Sequence, residues 1–133
     1  MPVLTLSTNV SLNDLDASSI LSQVISTVAS IMRTPEPFVM VSLEGSTTTC
    51  FGGTEEPAAY GELVSMGALN PELNKKLSAG IACVLETKLL VPKSRFFLKF
   101  YNTEASYLNT NFLFLNTGYN CALNGSIMVV ESK

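Results

Sequence analysis

Apolar and polar positions follow two different periods along the chain, and this predicts strands separated by helices. Leu4 and Leu6 fall on one face of a segment with a two-residue period, so a strand is expected from the first residue onward. Apolar residues then recur at intervals of three and four, the pattern of an amphipathic helix, with Asp16 as its N-cap. This first stripe consists of Leu21, Val24, Ile25, Val28 and Ile31.

The first predicted helix is followed by two predicted strands. Proline disfavours helical geometry in the residue before it, so the helix is expected to end at Thr34–Pro35. The apolar segment Phe38–Leu43 predicts a strand and Glu44–Ser46 a turn. The threonine-rich segment Thr47–Phe51 predicts a further strand.

The second half of the chain opens on an ambiguous segment. Pro57–Met66 fits a helix by its alanines and a strand by its alternation. Asn70–Pro71 then predicts a helix start, with an asparagine cap and proline at the first helical position, and Leu90–Pro92 predicts its end. Arg95–Tyr101 predicts the next strand. The stripe of this second helix consists of Leu73, Leu77, Ile81, Val84 and Leu85.

The two halves of the chain repeat one order of elements. A helix, a proline and an apolar strand occur in Val28–Leu43 and again in Val84–Tyr101. Two β-α-β units that share one mixed sheet, with both helices on one face, would bury both apolar stripes. The sequence therefore predicts an α+β fold. The other sheet face stays uncovered in this arrangement, and subunit association is the expected remedy.

The end of the chain does not continue the repeat. Asn111–Asn116 and Ile127–Val130 each predict a short strand. We therefore divide the chain into a repeat-bearing domain, residues 1–103, and a divergent C-terminal extension, residues 104–133. The extension is either part of the same domain or loosely ordered.

Composition narrows the classes of function. The 133 residues suggest one domain, and 47% of them are hydrophobic but only 14% charged, which again favours burial against another subunit. A net charge of −3 and a pI near 4.8 argue against a nucleic-acid partner. The chain has no histidine, and its cysteines, at positions 50, 83 and 121, are not clustered, so no metal site is expected. No apolar segment has the length of a membrane span.

The amino terminus carries the first candidate for chemistry. A small residue after the initiator usually permits removal of Met1, and the chain would then begin with the secondary amine of Pro2. Burial, or a nearby cation, would lower the pKa of that amine and leave it neutral at physiological pH. A neutral amine held on a strand can act as a general base. The structural alternative is an ordinary chain start, since many proteins begin Met-Pro.

The last predicted strand of residues 1–103 has one apolar and one mixed face. Phe96, Leu98 and Phe100 share the apolar face, which we expect under the helices. On the other face Lys99 lies between two aromatic residues, Phe97 and Tyr101. A lysine that faces another subunit requires a partner or a ligand, because removing its charge from water is costly.

Several separated motifs, in their order and spacing, resemble the macrophage migration inhibitory factor family, and above all its plant members, the MIF/D-dopachrome-tautomerase-like proteins. The motifs are Pro2–Leu4, Ser7–Val10, Phe51–Pro57, Leu63–Gly67 and Pro92–Phe97. The resemblance covers about residues 1–103. It implies the tautomerase fold, a strand at Pro57–Met66 and assembly as a homotrimer. It also makes Gly118–Asn120 the counterpart of a motif near the end of the family's chains.

The resemblance implies a keto–enol tautomerase of the phenylpyruvate or dopachrome type. Pro2 would be the general base, acting on a small α-keto acid or aromatic carbonyl compound without a cofactor. Met66 would meet the substrate through its backbone N–H. The family's animal members carry a Cys-x-x-Cys motif that falls at Ala58 and Gly61 here, so thiol–disulfide chemistry is not expected at that position.

Three implied substrate-binding positions depart from the family pattern. Lys99 stands where the family has an asparagine, and Phe97 where an animal member has a tyrosine. A substrate-gripping lysine falls at Thr34, and the adjacent Arg33 would replace it after a one-residue shift. Two outcomes are open for Lys99→Asn: activity rises if the ammonium fills the pocket and falls if it grips the substrate.

The departures also support a function of another class. In this alternative the chain is a signalling or binding protein whose surface engages a receptor or regulatory partner. A third interpretation is a scaffold subunit whose tail modifies mixed trimers. The cysteine usage and the lack of a signal peptide suggest a cytoplasmic protein, also released without a signal peptide.

Overall fold

Two strand–helix–strand units form one sheet in residues 1–104, the part of the chain that this computed structural model describes. The strands and helices are β1 Val3–Thr8, α1 Ala17–Met32, β2 Met40–Glu44, β3 Ala59–Met66, α2 Pro71–Leu89 and β4 Phe96–Thr103. The strands predicted at 111–116 and 127–130, and the motif predicted at 118–120, lie outside the described residues.

The sheet has the order β2-β1-β3-β4. β1 and β2 are parallel, as are β3 and β4, and each pair is joined by one helix. The two units meet through the antiparallel pair β1 and β3, with Thr5 opposite Glu62. The predicted repeat and the mixed sheet are thus confirmed, and the amino-terminal strand occupies an inner position.

Both helices begin at the predicted caps. The Asp16 Oδ1 atom accepts a hydrogen bond from the Ser19 N–H at 3.1 Å, and the Asn70 Oδ1 atom accepts one from the Leu73 N–H at 2.9 Å. Both helices also end in the left-handed conformation at a residue other than glycine, α1 at Arg33 with φ 54° and α2 at Leu90 with φ 57°. The ends agree with the predicted positions before Pro35 and Pro92.

The core lies between the two helices and one face of the sheet. From β1 and β3 it contains Leu4, Leu6 and Leu63, all nearly inaccessible to solvent. Phe96, Leu98 and Phe100 of β4 pack against its edge, as their alternation predicted. The helices contribute Ile20, Val24, Val28, Ala29, Leu77, Ile81 and Leu85. Leu21, Ile25 and Ile31 of the predicted first stripe are only half-buried, so its centre lies closer to Ile20.

Gly61 leaves room in β3 for leucine side chains of the two neighbouring strands. A Cβ atom at this position would lie 2.7 Å from Leu6 Cδ2 and 3.0 Å from Leu98 Cδ1. Both leucines come from neighbouring strands, so the absence of a side chain lets β1 and β4 fill the space over β3.

The predicted strand at Thr47–Phe51 is wrong. The Thr47 N–H bonds the Thr8 carbonyl oxygen at 3.0 Å, but the following residues join no strand. The only ladder contact there is an isolated bridge between Phe51 and Thr54. Among the described strands the outer edge of β2 stays free in the sheet order, so a composition that suits a strand is not sufficient for pairing here. The ambiguous segment at Pro57–Met66, in contrast, forms the strand β3.

Hydrogen bonds from Arg95 hold the segment between β2 and β3 against the start of β4. Its guanidinium donates to four carbonyl oxygens, those of Phe51 at 2.9 Å, Thr54 at 3.3 Å, Glu56 at 3.0 Å and Pro57 at 3.0 Å. It also lies 5.3 Å from the centre of the Phe51 ring. The segment 51–57 is therefore held in one conformation without belonging to the sheet.

Asn9, just after β1, holds the same segment from the other side. Its amide nitrogen donates to the carbonyl oxygens of Glu55 and Glu56 at 3.0 and 2.9 Å, and its Oδ1 atom accepts from the Ala58 N–H at 2.9 Å. The two side chains together satisfy the backbone of the turn that leads into β3.

Candidate functional site

Pro2 is fully buried at the entry of the inner strand β1. Its carbonyl oxygen accepts a hydrogen bond from the Met40 N–H at 3.1 Å, which fixes its backbone against the start of β2. Met1 is half-buried, and burial lowers the pKa of its amino group from the usual value of 8.0. An amine at this end of the chain is thus partly desolvated, as general-base chemistry at Pro2 requires.

Ser65 and Met66 lie beside the amino terminus. Continuing the antiparallel ladder by one residue beyond the pair Val3 and Val64 places Ser65 opposite Pro2. Ser65 is buried, and its hydroxyl donates to the Gly67 carbonyl oxygen at 3.1 Å, which fixes the turn after β3. Sequence reasoning missed Ser65 as a site residue, although the alternation of β3 puts it on the buried face.

The backbone N–H of Met66 is directed toward the amino terminus. The Gly67 N–H bonds the Thr103 carbonyl oxygen on the β4 side at 3.2 Å. Successive N–H groups of a strand point to opposite edges, so the Met66 N–H points to the β1 side. One further step of the ladder places Met1 opposite Met66. The predicted substrate-binding role of this N–H is therefore compatible with its direction.

Lys99 and Phe97 lie on the sheet face that the helices leave uncovered. Both are exposed, and 61% of Phe97 is accessible to solvent. The Lys99 ammonium lies 4.9 Å from the centre of the Tyr101 ring, and hydrogen bonding to Tyr101 raises the pKa of Lys99. Glu62, directly across from Lys99, instead accepts a hydrogen bond from the Tyr60 hydroxyl at 2.9 Å. This bond raises the pKa of Tyr60.

One chain does not bring Lys99 and Phe97 to Pro2. Lys99 is aligned with Glu62, and Glu62 with Thr5, so Lys99 lies two strands and three residues away from Pro2. At about 3.3 Å per residue and about 4.8 Å between strands, the two Cα atoms are roughly 14 Å apart. The Pro2 side chain also belongs to the buried face of β1. A pocket that contains both residues therefore requires Lys99 from a second copy of the chain.

Arg33 lines a cavity at the same end of the sheet as Pro2, and Pro2 is not among the residues that line it. The cavity has a volume of about 370 Å³ and lies between the C-terminal end of α1, the residues after β3 and the first turns of α2. Arg33 is exposed at its rim, and Thr34 is held by a hydrogen bond from its N–H to the Ala29 carbonyl oxygen at 3.0 Å. Its predicted role beside the substrate remains a prediction.

A metal site, a disulfide bond and a membrane span each have requirements that can also be compared with residues 1–104. Within that range no group of three or more potential ligands is arranged to hold a metal ion. Cys50 and Cys83 are free and exposed, and Cys121 lies outside the described residues. Neither described helix combines the length and the apolar character that a membrane span demands.

Comparison with known proteins agrees with the geometry. Residues 1–114 match the family model of macrophage migration inhibitory factor. The chain is 34% identical to a homologue of that factor from Trichinella spiralis over 111 residues, 84% of this chain and 96% of the relative. A homologue from Brugia malayi is 32% identical over the same shares of both chains.

Solved structures lead to the same family. The Trichinella spiralis factor superposes with a TM-score of 0.76 at 33% identity, over 82% of this chain and 96% of that chain. A homologue from Prochlorococcus marinus superposes with a TM-score of 0.78 at 28% identity, over 82% and 95% of the two chains. The predicted tautomerase fold is confirmed, and the chain belongs to the macrophage migration inhibitory factor family.

Proposed function

We propose that this protein is a keto–enol tautomerase in which the amine of Pro2 is the general base. The observation that carries the proposal is the burial of Pro2 at the start of an inner strand. The same surroundings already desolvate the amino group of Met1 and lower its pKa, and we expect them to act in the same direction on the amine of Pro2. A desolvated amine is neutral at a lower pH than an exposed one, so it can accept a proton from carbon near pH 7.

The reaction follows from that base and its surroundings. Pro2 takes the proton on the carbon next to the carbonyl group, the electron pair of that bond moves toward the carbonyl oxygen, and an enolate forms. Pro2 then returns that proton to the enolate oxygen, which yields the enol and leaves the amine neutral again. In the reverse direction the proton passes from the oxygen through Pro2 to carbon. The substrate class is a small α-keto acid or an aromatic carbonyl compound, and no cofactor takes part.

Removal of Met1 would prepare two groups at once. It exposes the secondary amine of Pro2, and it vacates the position opposite Met66 in the β1–β3 ladder. The Met66 N–H, which points to that position, would then be available to a substrate oxygen. A backbone donor aimed at the oxygen where negative charge develops stabilises an enolate.

Lys99 and Phe97 would complete the pocket from a neighbouring copy, in a homotrimer. The uncovered sheet face and the roughly 14 Å within one chain both support this arrangement. Lys99 would bind the substrate carboxylate, and Phe97 would contact an aromatic ring. Arg33 would add a second cation only if its side chain turns toward Pro2.

The test is a spectrophotometric assay of phenylpyruvate tautomerisation with the wild-type protein and Pro2→Gly. We expect turnover by wild type and a loss of at least about a hundredfold in Pro2→Gly, the usual contribution of a positioned base. Intact mass must show that Met1 is absent from both proteins, and sedimentation must show the same assembly. Equal turnover by the two proteins would exclude Pro2 as the base.

A binding function is the second candidate. Thr34, Phe97 and Lys99 replace groups that the catalytic pattern would contain, and this favours a protein that engages a receptor or regulatory partner through its surface. A wild-type protein that is assembled and lacks Met1, but is inactive, would support this candidate. A cytoplasmic location and release without a signal peptide remain predictions of the sequence. The affiliation with plant members is not supported by the two sequence relatives named above, which are nematode proteins.

A further inference from the structure

The cavity at the ends of the two helices combines two cations with an apolar wall. Arg33 and Lys76 contribute the positive charges, and Ile31, Met32 and Leu73 contribute the apolar surface. The only acidic residue of the lining is Glu72, which is paired with Lys76 at 3.3 Å. The cavity therefore carries a net positive charge on a chain whose net charge is −3.

Arg33 has no carboxylate partner among the described residues. Among the described residues, the salt bridge that the structure contains joins Lys76 and Glu72 and does not involve Arg33. The Arg33 guanidinium is exposed at the cavity rim. Hydrogen bonds fix its backbone, since the Arg33 N–H donates to the Ser30 carbonyl oxygen at 3.4 Å and the left-handed conformation ends the helix there. A planar guanidinium on a fixed backbone is suited to bind a carboxylate with two hydrogen bonds.

We propose that this cavity is a second binding site, separate from Pro2, for a small carboxylate with an apolar body. Its volume of about 370 Å³ lies in the range of small-molecule sites. The carboxylate binds Arg33 at the rim, and the apolar body lies against Ile31, Met32 and Leu73. Neutral compounds of the same shape bind more weakly, because they cannot form charge-assisted hydrogen bonds with the guanidinium.

The probes are 4-phenylbutyrate and its neutral counterpart 4-phenylbutanol, titrated into the whole chain and followed by backbone amide chemical shifts. We expect 4-phenylbutyrate to shift residues 31–33, 68–70 and 73–76, and 4-phenylbutanol to bind at least about tenfold more weakly. Arg33→Gln should weaken 4-phenylbutyrate by about tenfold. Lys75→Gln, which removes a neighbouring exposed cation that does not line the cavity, should leave the affinity within about twofold.

A Pro2→Gly protein separates this site from the proposed tautomerase site. Binding to the cavity should persist in Pro2→Gly, whatever that variant does to tautomerisation. The proposal is overturned if 4-phenylbutyrate leaves these residues unshifted, if it binds no more tightly than 4-phenylbutanol, or if Lys75→Gln weakens it as much as Arg33→Gln. Shifts confined to Met66 and its neighbours, abolished in Pro2→Gly, would likewise overturn it.

Discussion

The ammonium of Lys99 is held over the ring of Tyr101, at 4.9 Å from its centre. The carboxylate that stands across the sheet, that of Glu62, is engaged by Tyr60 instead. The ammonium of Lys99 thus lies on the uncovered sheet face and forms no salt bridge with a described carboxylate, although Tyr101 and, to a smaller extent, Glu62 raise its pKa.

The first prediction concerns this charge. If Lys99 binds the substrate carboxylate, Lys99→Asn raises the KM for phenylpyruvate by about tenfold, because a charge-assisted hydrogen bond is lost. Steady-state kinetics checks it, with Lys93→Asn as the matched control, since Lys93 is an exposed lysine before β4. A higher kcat/KM in Lys99→Asn would show instead that the ammonium obstructs the pocket.

The second prediction concerns Arg95. Arg95→Lys should lower the free energy of unfolding by about 2 kcal/mol, because a single ammonium cannot replace a guanidinium that reaches four carbonyl oxygens. Urea unfolding measures the loss. The control Lys93→Ala should stay within about 0.5 kcal/mol of wild type, as surface substitutions usually do. Equal stability of Arg95→Lys and wild type would mean that these bonds contribute nothing net.

The third prediction concerns the end of α2. Leu90 adopts φ 57° and is 76% exposed, so it gains little from burial and its Cβ is strained. Leu90→Gly should raise the free energy of unfolding by about 0.5–1 kcal/mol. Leu90→Ala keeps the Cβ and is the control, for which no such gain is expected. If both variants gain equally, removal of the exposed apolar side chain, and not relief of the backbone, is the cause.

The fourth prediction concerns pH and the chain that retains Met1. Because burial lowers the pKa of its amino group, the folded state binds fewer protons than the unfolded state between that lowered pKa and 8.0. The contribution of this group to stability is fully present above pH 8.0 and is lost as the pH falls through the folded pKa. The free energy of unfolding in urea should therefore differ between the unacetylated and the N-terminally acetylated protein. This difference should change with pH between the lowered pKa and pH 8.0. A constant difference would contradict the burial effect.

Local chemistry made much of the fold predictable. Asp16 and Asn70 cap the first turns of the helices with their side-chain oxygens, so their positions predict the helix starts. Pro35 and Pro92 limit where the helices can continue. The strand predicted at Thr47–Phe51 failed for a non-local reason. Its composition suits a strand, but a strand also needs to pair with a neighbouring strand, and composition does not report whether that pairing forms.

The candidate site was predictable in part. The two-residue period placed Phe97 and Lys99 on the face opposite the core, which the structure bears out. The partner of Lys99 was not predictable, because Glu62 on the neighbouring strand and Tyr101 on the same strand both lie near it, and alternation does not tell which one it contacts. The cavity at Arg33 was not predictable either, since it is formed by the ends of two helices that are distant in sequence.

The inner position of β1 has a practical consequence for anyone who purifies this protein. Residues added before Pro2 would leave the sheet beside the start of β2 and the end of β3, so an affinity tag at the amino end would be attached directly to the candidate site. Such a tag would convert the Pro2 amine into an amide, which cannot act as a base. An inactive tagged preparation would therefore say nothing about Pro2 unless the tag is cleaved so that the chain begins with Pro2.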